Sequence, residues 1–151
     1  MTVFDGDVGP RDALLDLAQR ATYVVFSQPG LTQATGFGLP EQGLAAIAGS
    51  VPGMVGVTLG ADGFLWREDG VERRTRAPKV KVVDTLAAGD VWHGAFTLAL
   101  AEGQDVASAS RFANAAAALK CSPRRGPARR RRGARKCSRD ARQESRLTKS
   151  K

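Results

Sequence analysis

Apolar residues in the first sixty positions alternate between short β-prone runs and stretches with helical spacing. Thr2–Phe4, Tyr23–Phe26 and Val55–Leu59 are rich in β-branched and aromatic side chains, so they predict three strands. Between them, Arg11–Arg20 has apolar residues at helical spacing, and Pro40–Gly49 predicts a second helix built from small residues. This strand–helix alternation predicts an α/β domain with a mostly parallel sheet.

The pattern changes after residue 60. Phe64–Arg67 and Glu72–Arg76 are β-prone runs separated by the turn signal Asp69–Gly70, so they predict a small antiparallel hairpin. Two helices are predicted further along, at Ala88–Glu102 and Val106–Lys120. The first of these helices is apolar on several faces, which predicts that it is buried within a layered domain.

Positive charge is concentrated at the end of the chain. The net charge is +8, but residues 121–151 hold 13 of the 23 Lys and Arg and only two acidic residues. This segment has no helical or strand period and almost no large apolar side chains, so it cannot bury enough surface to offset its chain entropy. We therefore predict a folded domain at residues 1–120 and a disordered Arg-rich tail at 121–151.

Three interpretations of this tail are open. It could bind nucleic acid through the phosphates, or it could act as a localisation signal. It could also be the translation of a shifted reading frame, because Arg, Pro, Ala and Gly dominate when a GC-rich gene is read out of frame. The third interpretation is favoured, and we do not expect the chain to bind nucleic acid except through this tail.

The composition excludes several classes of protein. Cys121 and Cys137 form no C-x-x-C pair and have no nearby His, which excludes a disulfide framework and a zinc site of the usual spacing. No apolar run approaches the roughly 18 residues that a membrane helix needs. The first ten residues lack the features of a signal peptide, so we expect a cytoplasmic protein.

The strongest candidate site lies at the start of the first long helix. A β-prone run at Lys81–Val83 leads into DTLAAGD at residues 84–90, and the helix follows. Small residues at a helix start let backbone amides approach an anion, which the free N–H groups and the helix dipole favour. Asp90, in the first turn, could take a proton from a hydroxyl beside a phosphate. The stretch therefore predicts a site for phosphoryl transfer.

DTLAAGD resembles the D-T-x-G-A-G-D signature of the ribokinase-like (PfkB family) carbohydrate kinases. The resemblance implies that Asp90 is the catalytic base and binds the sugar hydroxyl. It also implies that the amides of Ala87, Ala88 and Gly89 form an anion hole for the γ-phosphate. Ala87 stands where the family usually has Gly. If this position needs a positive φ, Ala costs about 1 kcal/mol or more.

Two further segments resemble the family in the same order. VTLGADG at residues 57–63 resembles a T-x-G-x-x-G segment that approaches the nucleotide phosphates. FANAAAALK resembles the late helix that lines the adenine pocket. The resemblance therefore implies nucleotide-binding roles for Thr58, Gly60, Gly63 and Asn114.

Several features have no assigned binding role or have an alternative to it. Ser27–Gly30 lacks both the Asn and the Glu of the family's N-x-x-E motif, which helps to organise Mg²⁺, so no metal ligand is assigned. The glycines have an alternative as plain turn residues, and Asn114 has an alternative as a surface or packing residue. For His93 a supporting or packing role is favoured, and Trp66 and Trp92 are predicted to pack in the core.

The resemblance covers residues 2–120 and implies the C-terminal part of a three-layer, Rossmann-like ribokinase fold. It implies ATP-dependent phosphorylation of a sugar hydroxyl, with ATP and Mg²⁺ as cofactors. The family's N-terminal half, which carries most sugar contacts and the lid, has no counterpart here. We therefore expect a truncated form that is weakly active or inactive and whose open sheet edges favour self-association. The competing hypothesis is a basic nucleic-acid-binding protein that uses its Arg-rich tail.

Overall fold

Five strands form one sheet, in the order β1-β2-β3-β4-β5, in the computed structural model, which describes residues 1–123. Strands β1, β2 and β3 run parallel, and β4 and β5 add an antiparallel hairpin beside β3. The predicted α/β class is confirmed. The strands are β1 Val3–Gly6, β2 Tyr23–Ser27, β3 Met54–Thr58, β4 Phe64–Glu68 and β5 Val71–Thr75; the helices are α1 Arg11–Arg20, α2 Gln28–Thr35, α3 Pro40–Ala48, α4 Ala88–Ala101 and α5 Val106–Cys121; a 3₁₀ turn spans Gly60–Asp62.

Helices cover both faces of the sheet, which gives three layers. Val24, Val25 and Phe26 in the middle of β2 are all fully buried, as expected for a parallel strand with a core on each side. One core joins the sheet to α1, α2 and α3, and the other joins it to α4 and α5. Since successive strand residues point to opposite faces, Val24 and Phe26 enter the first core and Val25 the second.

The core under α4 is aromatic. The Phe64 ring lies 4.7 Å from the Trp92 ring and 5.7 Å from the Phe96 ring, measured between centroids. Burying each of these side chains contributes roughly 1.5–3 kcal/mol. The opposite side of α4 is open, because Leu98 is 52% exposed, so α4 lies on the surface of the layered domain and not within it as predicted. No helix within residues 1–123 is long and apolar enough to cross a membrane.

Helix α2 follows β2 without a loop and was not predicted. Its first residue comes directly after Ser27, whose hydroxyl caps the helix by accepting a hydrogen bond from the Gly30 amide at 3.1 Å. Pro29 occupies the first turn, where a missing N–H costs nothing. Gly36, at φ 83°, ends the helix. Pro29–Gly30 therefore marks a helix start as well as the end of the strand before it.

The stretch before α4 is irregular. Lys81–Val83, predicted as a β-prone lead into the motif, forms no strand, and Val82 and Val83 are more than half exposed. The Val83 amide instead donates to the Cys121 carbonyl at 2.9 Å. Cys121 is the last residue of α5, so this helix extends one residue past the predicted end of the domain. The rest of the Arg-rich segment, 124–151, and the nucleic-acid hypothesis that depends on it, lie outside the described residues.

The two edges of the sheet differ in charge. The outer strand β5 is exposed at Glu72, Arg73 and Arg74, and charged side chains of this kind discourage pairing with another strand. Strand β1 is the opposite edge, and its outer side pairs with nothing within residues 1–123. It contains Val3 and Phe4, both partly buried, and a single charge at Asp5. The expected self-association stays a prediction, and β1 is the edge that would permit it.

The turn before β4 places a glycine where no side chain fits, and this generates our first prediction. Gly63 has φ 95°, and a Cβ built on it would lie 2.1 Å from the Thr75 carbonyl oxygen. Gly63→Ala should therefore lower the free energy of unfolding by about 2–4 kcal/mol, as measured by urea denaturation. Gly70→Ala is the control: φ is also positive, at 75°, but nothing lies within 4 Å, so a loss of only about 1 kcal/mol is expected. Equal losses would contradict the packing argument.

Candidate functional site

A cavity of about 580 Å³ opens at the edge of the sheet where the parallel strands end. It lies between the 3₁₀ turn after β3, the loop after β5, the start of α4 and the later turns of α5. In open α/β sheets, ligands bind in the crevice outside the carboxyl ends of the strands. Six of the residues that the motifs singled out line this one cavity: Thr58, Gly60, Gly63, Ala88, Gly89 and Asn114.

The segment Thr58–Gly63 forms one wall. The Thr58 hydroxyl lies within 3.4 Å of the Phe26 carbonyl oxygen, which joins the ends of β2 and β3. Gly60 has φ 57° and no atom within 4 Å of the position that a Cβ would take. The backbone of this turn is therefore bare towards the cavity, as an approach to a phosphate or base requires.

Helix α4 begins at a residue with left-handed geometry. Ala87, its N-cap, has φ 57° and ψ 19° and makes no side-chain cap. The Ala88 amide donates to the Thr85 carbonyl at 3.1 Å. Within residues 1–123 the amides of Ala87, Gly89 and Asp90 find no acceptor. Of the three amides predicted for an anion hole, those of Ala87 and Gly89 are thus available and that of Ala88 is used by the turn.

Asp90 is exposed in the first turn of α4, where the helix dipole favours a carboxylate. It does not line the cavity but follows directly after Gly89, which does. Asp5, near the end of β1, interacts electrostatically both with Asp90 and with Asp7, which directly follows the strand. Asp7 accepts a hydrogen bond from the Ser27 hydroxyl at 2.8 Å. The candidate base therefore shares an acidic corner with two residues that the motifs did not indicate.

Burial raises the pKa of the Asp5 carboxyl above its ordinary value. His93 opposes this change, while the negative charges of Asp7 and Asp90 add to it. Strand β1 and helix α4 are far apart in sequence, so a local pattern could not place Asp5 beside Asp90. The one signal available was an acidic pair directly at the carboxyl end of a predicted strand.

His93 joins the first turns of α4 to β1. Its Nδ1 atom lies 3.0 Å from the Gly89 carbonyl oxygen, and its Nε2 atom lies 3.2 Å from Asp5 Oδ1. The second distance is that of an ion pair, although the orientation does not form a hydrogen bond. The side chain is 13% exposed. This position agrees with a supporting role one turn behind Asp90.

Asn114 is almost fully buried and lines the cavity, but its polar atoms face the protein. Its Oδ1 atom accepts a hydrogen bond from the Trp92 indole at 2.7 Å, and its Nδ2 atom donates to the Thr75 hydroxyl at 3.2 Å. Trp92 was predicted as a core residue only, yet it also lines the cavity. Lys79 also lines the cavity and was not predicted at all.

The first residue of the motif anchors the loop before α4. Asp84 Oδ2 accepts from the Lys120 ammonium at 2.9 Å, and Asp84 Oδ1 accepts from the Leu86 amide at 2.9 Å. Lys120 and, after it, the Leu86 amide hold the pKa of the Asp84 carboxyl below its usual value. Asp84 therefore ties the motif to the end of α5 and is not directed at the cavity.

The residues that the structure describes do not form a metal-binding site from their own side chains alone. No group of three or more His, Cys, Asp or Glu side chains within residues 1–123 is arranged to hold an ion. Ser27, the first residue of the segment that lacks the N-x-x-E motif, caps α2 and bonds to Asp7. Mg²⁺ is commonly held by one or two carboxylates together with substrate phosphates. The carboxylates Asp5, Asp7 and Asp90 fit only this kind of site, in which nucleotide phosphates supply further ligands of the ion.

Comparison with known proteins agrees with the geometry. The model of the "pfkB family carbohydrate kinase" family matches residues 1–126. The ribokinase of Bacillus subtilis is 38% identical over 80 residues, which are 53% of this chain and 27% of that enzyme.

Solved structures show the same fold. A candidate ribokinase from Agrobacterium tumefaciens is 42% identical, with a TM-score of 0.75 over 79% of this chain and 40% of that one. The fructokinase of Vibrio cholerae, solved with fructose, ADP and calcium, is 28% identical, with a TM-score of 0.74 over 81% of this chain and 44% of its own. The chain therefore spans less than half the length of these relatives.

The left-handed Ala87 generates a stability prediction. An L-residue other than Gly costs about 1–2 kcal/mol in this conformation, while Gly gains about 0.4–1 kcal/mol of freedom in the unfolded chain. Ala87→Gly should therefore raise the free energy of unfolding by roughly 0.5–1 kcal/mol, as measured by urea denaturation. Ala101→Gly, in the last turn of α4, is the control and should lower it by up to about 1 kcal/mol. A loss in both variants would show that Ala87 is not strained.

The raised pKa of Asp5 predicts a pH dependence of stability. Stability that depends on protonated Asp5 is fully present below its unfolded pKa and is lost as the pH rises through the higher folded pKa. Asn mimics the protonated carboxyl, so the thermal midpoint of Asp5→Asn should exceed that of the wild type by a margin that grows between about pH 3 and pH 7. A variant that instead becomes relatively weaker as the pH rises would show that the attraction to His93 outweighs burial.

Proposed function

Because the chain belongs to the pfkB family of carbohydrate kinases, we propose that it supplies the nucleotide-binding and proton-accepting parts of an ATP-dependent sugar kinase. One observation carries the proposal: segments that are distant in sequence, Thr58–Gly63, 84–90 and Asn114, converge on a single cavity. The cavity has the size of typical small-molecule sites, and small and apolar residues dominate its lining. Its position at the carboxyl ends of the parallel strands also supports the proposal.

Asp90 is the proposed general base. Its carboxylate takes the proton of a sugar hydroxyl while that oxygen forms a bond to the γ-phosphorus of ATP and the bond from phosphorus to the ADP oxygen breaks. Asp90 is exposed, so an acceptor hydroxyl can reach it, and it stands in the first turn of α4. His93 supports the same turn from behind through the Gly89 carbonyl.

The start of α4 is the proposed anion hole. The unpaired amides of Ala87 and Gly89 are donors for phosphate oxygens, and the helix dipole adds to their effect. Lys79, which also lines the cavity, adds a positive charge that could reach the nucleotide phosphates. Thr58, Gly60 and Gly63 form the turn along which the nucleotide would lie. Preorganised donors of this kind are effective because they need no rearrangement during the reaction.

ATP and Mg²⁺ are the proposed cofactors. The Vibrio cholerae fructokinase was solved with ADP and a calcium ion, and its structure matches 81% of this chain. A divalent ion bound to the phosphates would neutralise charge as it develops. Asp5, Asp7 and Asp90 are the carboxylates near the place where such an ion would arrive.

Alone, this chain should bind a nucleotide, but it should transfer phosphate to a sugar only poorly. A base takes a proton only from a hydroxyl held within about 3 Å, and that geometry comes from positioning groups. The chain spans 40% of the Agrobacterium tumefaciens structure, and by resemblance the sugar contacts belong to the part not represented here. Water can then reach the γ-phosphate, so slow ATP hydrolysis is the expected activity of the chain by itself.

Asp90→Asn should separate binding from chemistry. It removes one negative charge beside the phosphates, so ADP affinity measured by calorimetry should stay the same or rise roughly threefold. ATP turnover, followed by coupled ADP release with and without a panel of sugars, should fall at least about a hundredfold.

Asp12→Asn is the matched control, because Asp12 also lies in the first turn of a helix but is not among the residues that line the cavity. It should change neither measurement. A folded wild-type chain that binds no ADP would contradict the proposed function, and turnover that persists in Asp90→Asn would contradict the assignment of the base.

A further inference from the structure

The only buried polar side chains within residues 1–123 belong to one hydrogen-bonded chain. They are Thr75 at 8% exposure, Ser110 at 0% and Asn114 at 3%. They connect strand β5 with helix α5, and the Trp92 indole joins α4 to them. Buried polar groups are costly unless they are satisfied, so a connected set at one place in the core has a specific structural reason.

The direction of each hydrogen bond follows from the chemistry. An indole N–H can only donate, so the group of Asn114 that faces Trp92 must be the oxygen, Oδ1. The Nδ2 amino group then faces Thr75, whose hydroxyl donates to Ser110 at 3.0 Å. The Ser110 hydroxyl donates in turn to the Ala107 carbonyl at 3.0 Å. Every member of the chain is therefore satisfied by a neighbour.

These hydrogen bonds leave the Asn114 side chain with little capacity to bind a ligand. Its amino group lies 3.2 Å from the Thr75 hydroxyl and 3.5 Å from the Thr75 carbonyl oxygen, so it is committed to that residue. One lone pair of Oδ1 is used by Trp92. Asn114 therefore has no free donor for the ring nitrogens of a purine, although it lies on the cavity wall.

Trp92 is held from two sides. Its ring stacks on Phe96 with centroids 4.8 Å apart and an angle of 21°, and it packs against Phe64. Packing of this kind fixes the plane of the indole, and the hydrogen bond to Asn114 fixes its rotation within that plane. Trp92 is also part of the cavity wall, whereas Trp66, in the same aromatic cluster, is not.

We propose that Asn114 is a positioning residue: it acts on the nucleotide through Trp92, which forms the wall that the nucleotide contacts, and does not bind the base itself. This inference rests on the proposed function, because it takes the occupant of the cavity to be a nucleotide. It changes the role that the motif suggested for Asn114. It also makes Thr75, which does not line the cavity, important for binding.

The first test is a double-mutant cycle on ADP affinity, measured by calorimetry. In the wild-type background Asn114→Leu leaves the indole N–H unpaired and should weaken ADP binding roughly tenfold. In the Trp92→Phe background the same change should weaken it less than about twofold, because no indole remains to be positioned. Equal losses in both backgrounds would mean that Asn114 contacts the nucleotide directly, and would overturn the inference.

Thr75→Val is the second variant, and it serves if Asn114→Leu does not fold. It keeps the shape of the side chain but removes the hydroxyl that holds the Asn114 amino group, so ADP binding should weaken roughly threefold. Ser110→Ala is the matched control: it removes a buried hydroxyl one step further along the chain and should change affinity less than about twofold. Unchanged binding in Thr75→Val would contradict the inference.

Fluorescence gives a readout that general destabilisation would not produce. The chain has two tryptophans, so Trp66→Phe leaves Trp92 as the single emitter, and Trp92→Phe leaves Trp66. ADP should change the emission of Trp92 and leave that of Trp66 unaltered. A wild-type chain that binds no ADP in calorimetry would refute the proposed function itself, whereas ADP binding without a change in Trp92 emission would refute only the role of Trp92.

Discussion

The hydrogen bond from the Trp92 indole to Asn114 is the contact on which the layer around the cavity depends. It crosses from α4 to α5, and the bond from Asn114 to Thr75 continues it to the hairpin. Aromatic packing alone would hold these elements together but would permit several rotations of the rings. A buried polar chain permits only the arrangement in which all its members are paired. The walls of the cavity are therefore placed by hydrogen bonds as much as by apolar burial.

Much of the fold could be predicted from the sequence because its strands are buried on both sides. Tyr23–Ser27 and Met54–Thr58 are almost wholly apolar, which is typical of parallel strands between helical layers. Prediction failed where one signal has two meanings. Pro29–Gly30 ends a strand and also starts α2, and the Ser27 cap was the cue that separated the two. At Lys81–Val83 the β-prone residues found no neighbouring strand, and β propensity is expressed only with a partner.

The candidate site could also be predicted only in part. The motif at 84–90 carries its own local geometry, and the glycine that the family usually has at position 87 agrees with the left-handed conformation of Ala87. The acidic corner could not be predicted, because Asp5 meets Asp90 only after β1 and α4 have packed. The position of Asn114 followed from resemblance, but the direction of its side chain depended on Trp92 and Thr75, one from each of two other elements. Sequence motifs therefore indicate some of the residues that reach the cavity. The hydrogen-bond partner of each polar atom is decided by tertiary packing.

The unequal edges of the sheet affect how this fold can be combined with other sequences. The loop after β5 lines the cavity, and β5 itself carries exposed charges at Glu72, Arg73 and Arg74, which disfavour extension of the sheet on the cavity side. Strand β1 is open, and its last residues stand beside Asp90. Any segment that pairs with β1 would bring its own side chains next to Asp90 without disturbing the walls of the cavity. On the proposed function, the architecture therefore comprises two modules, and recombination at the β1 edge could change the acceptor while the phosphate donor stays the same.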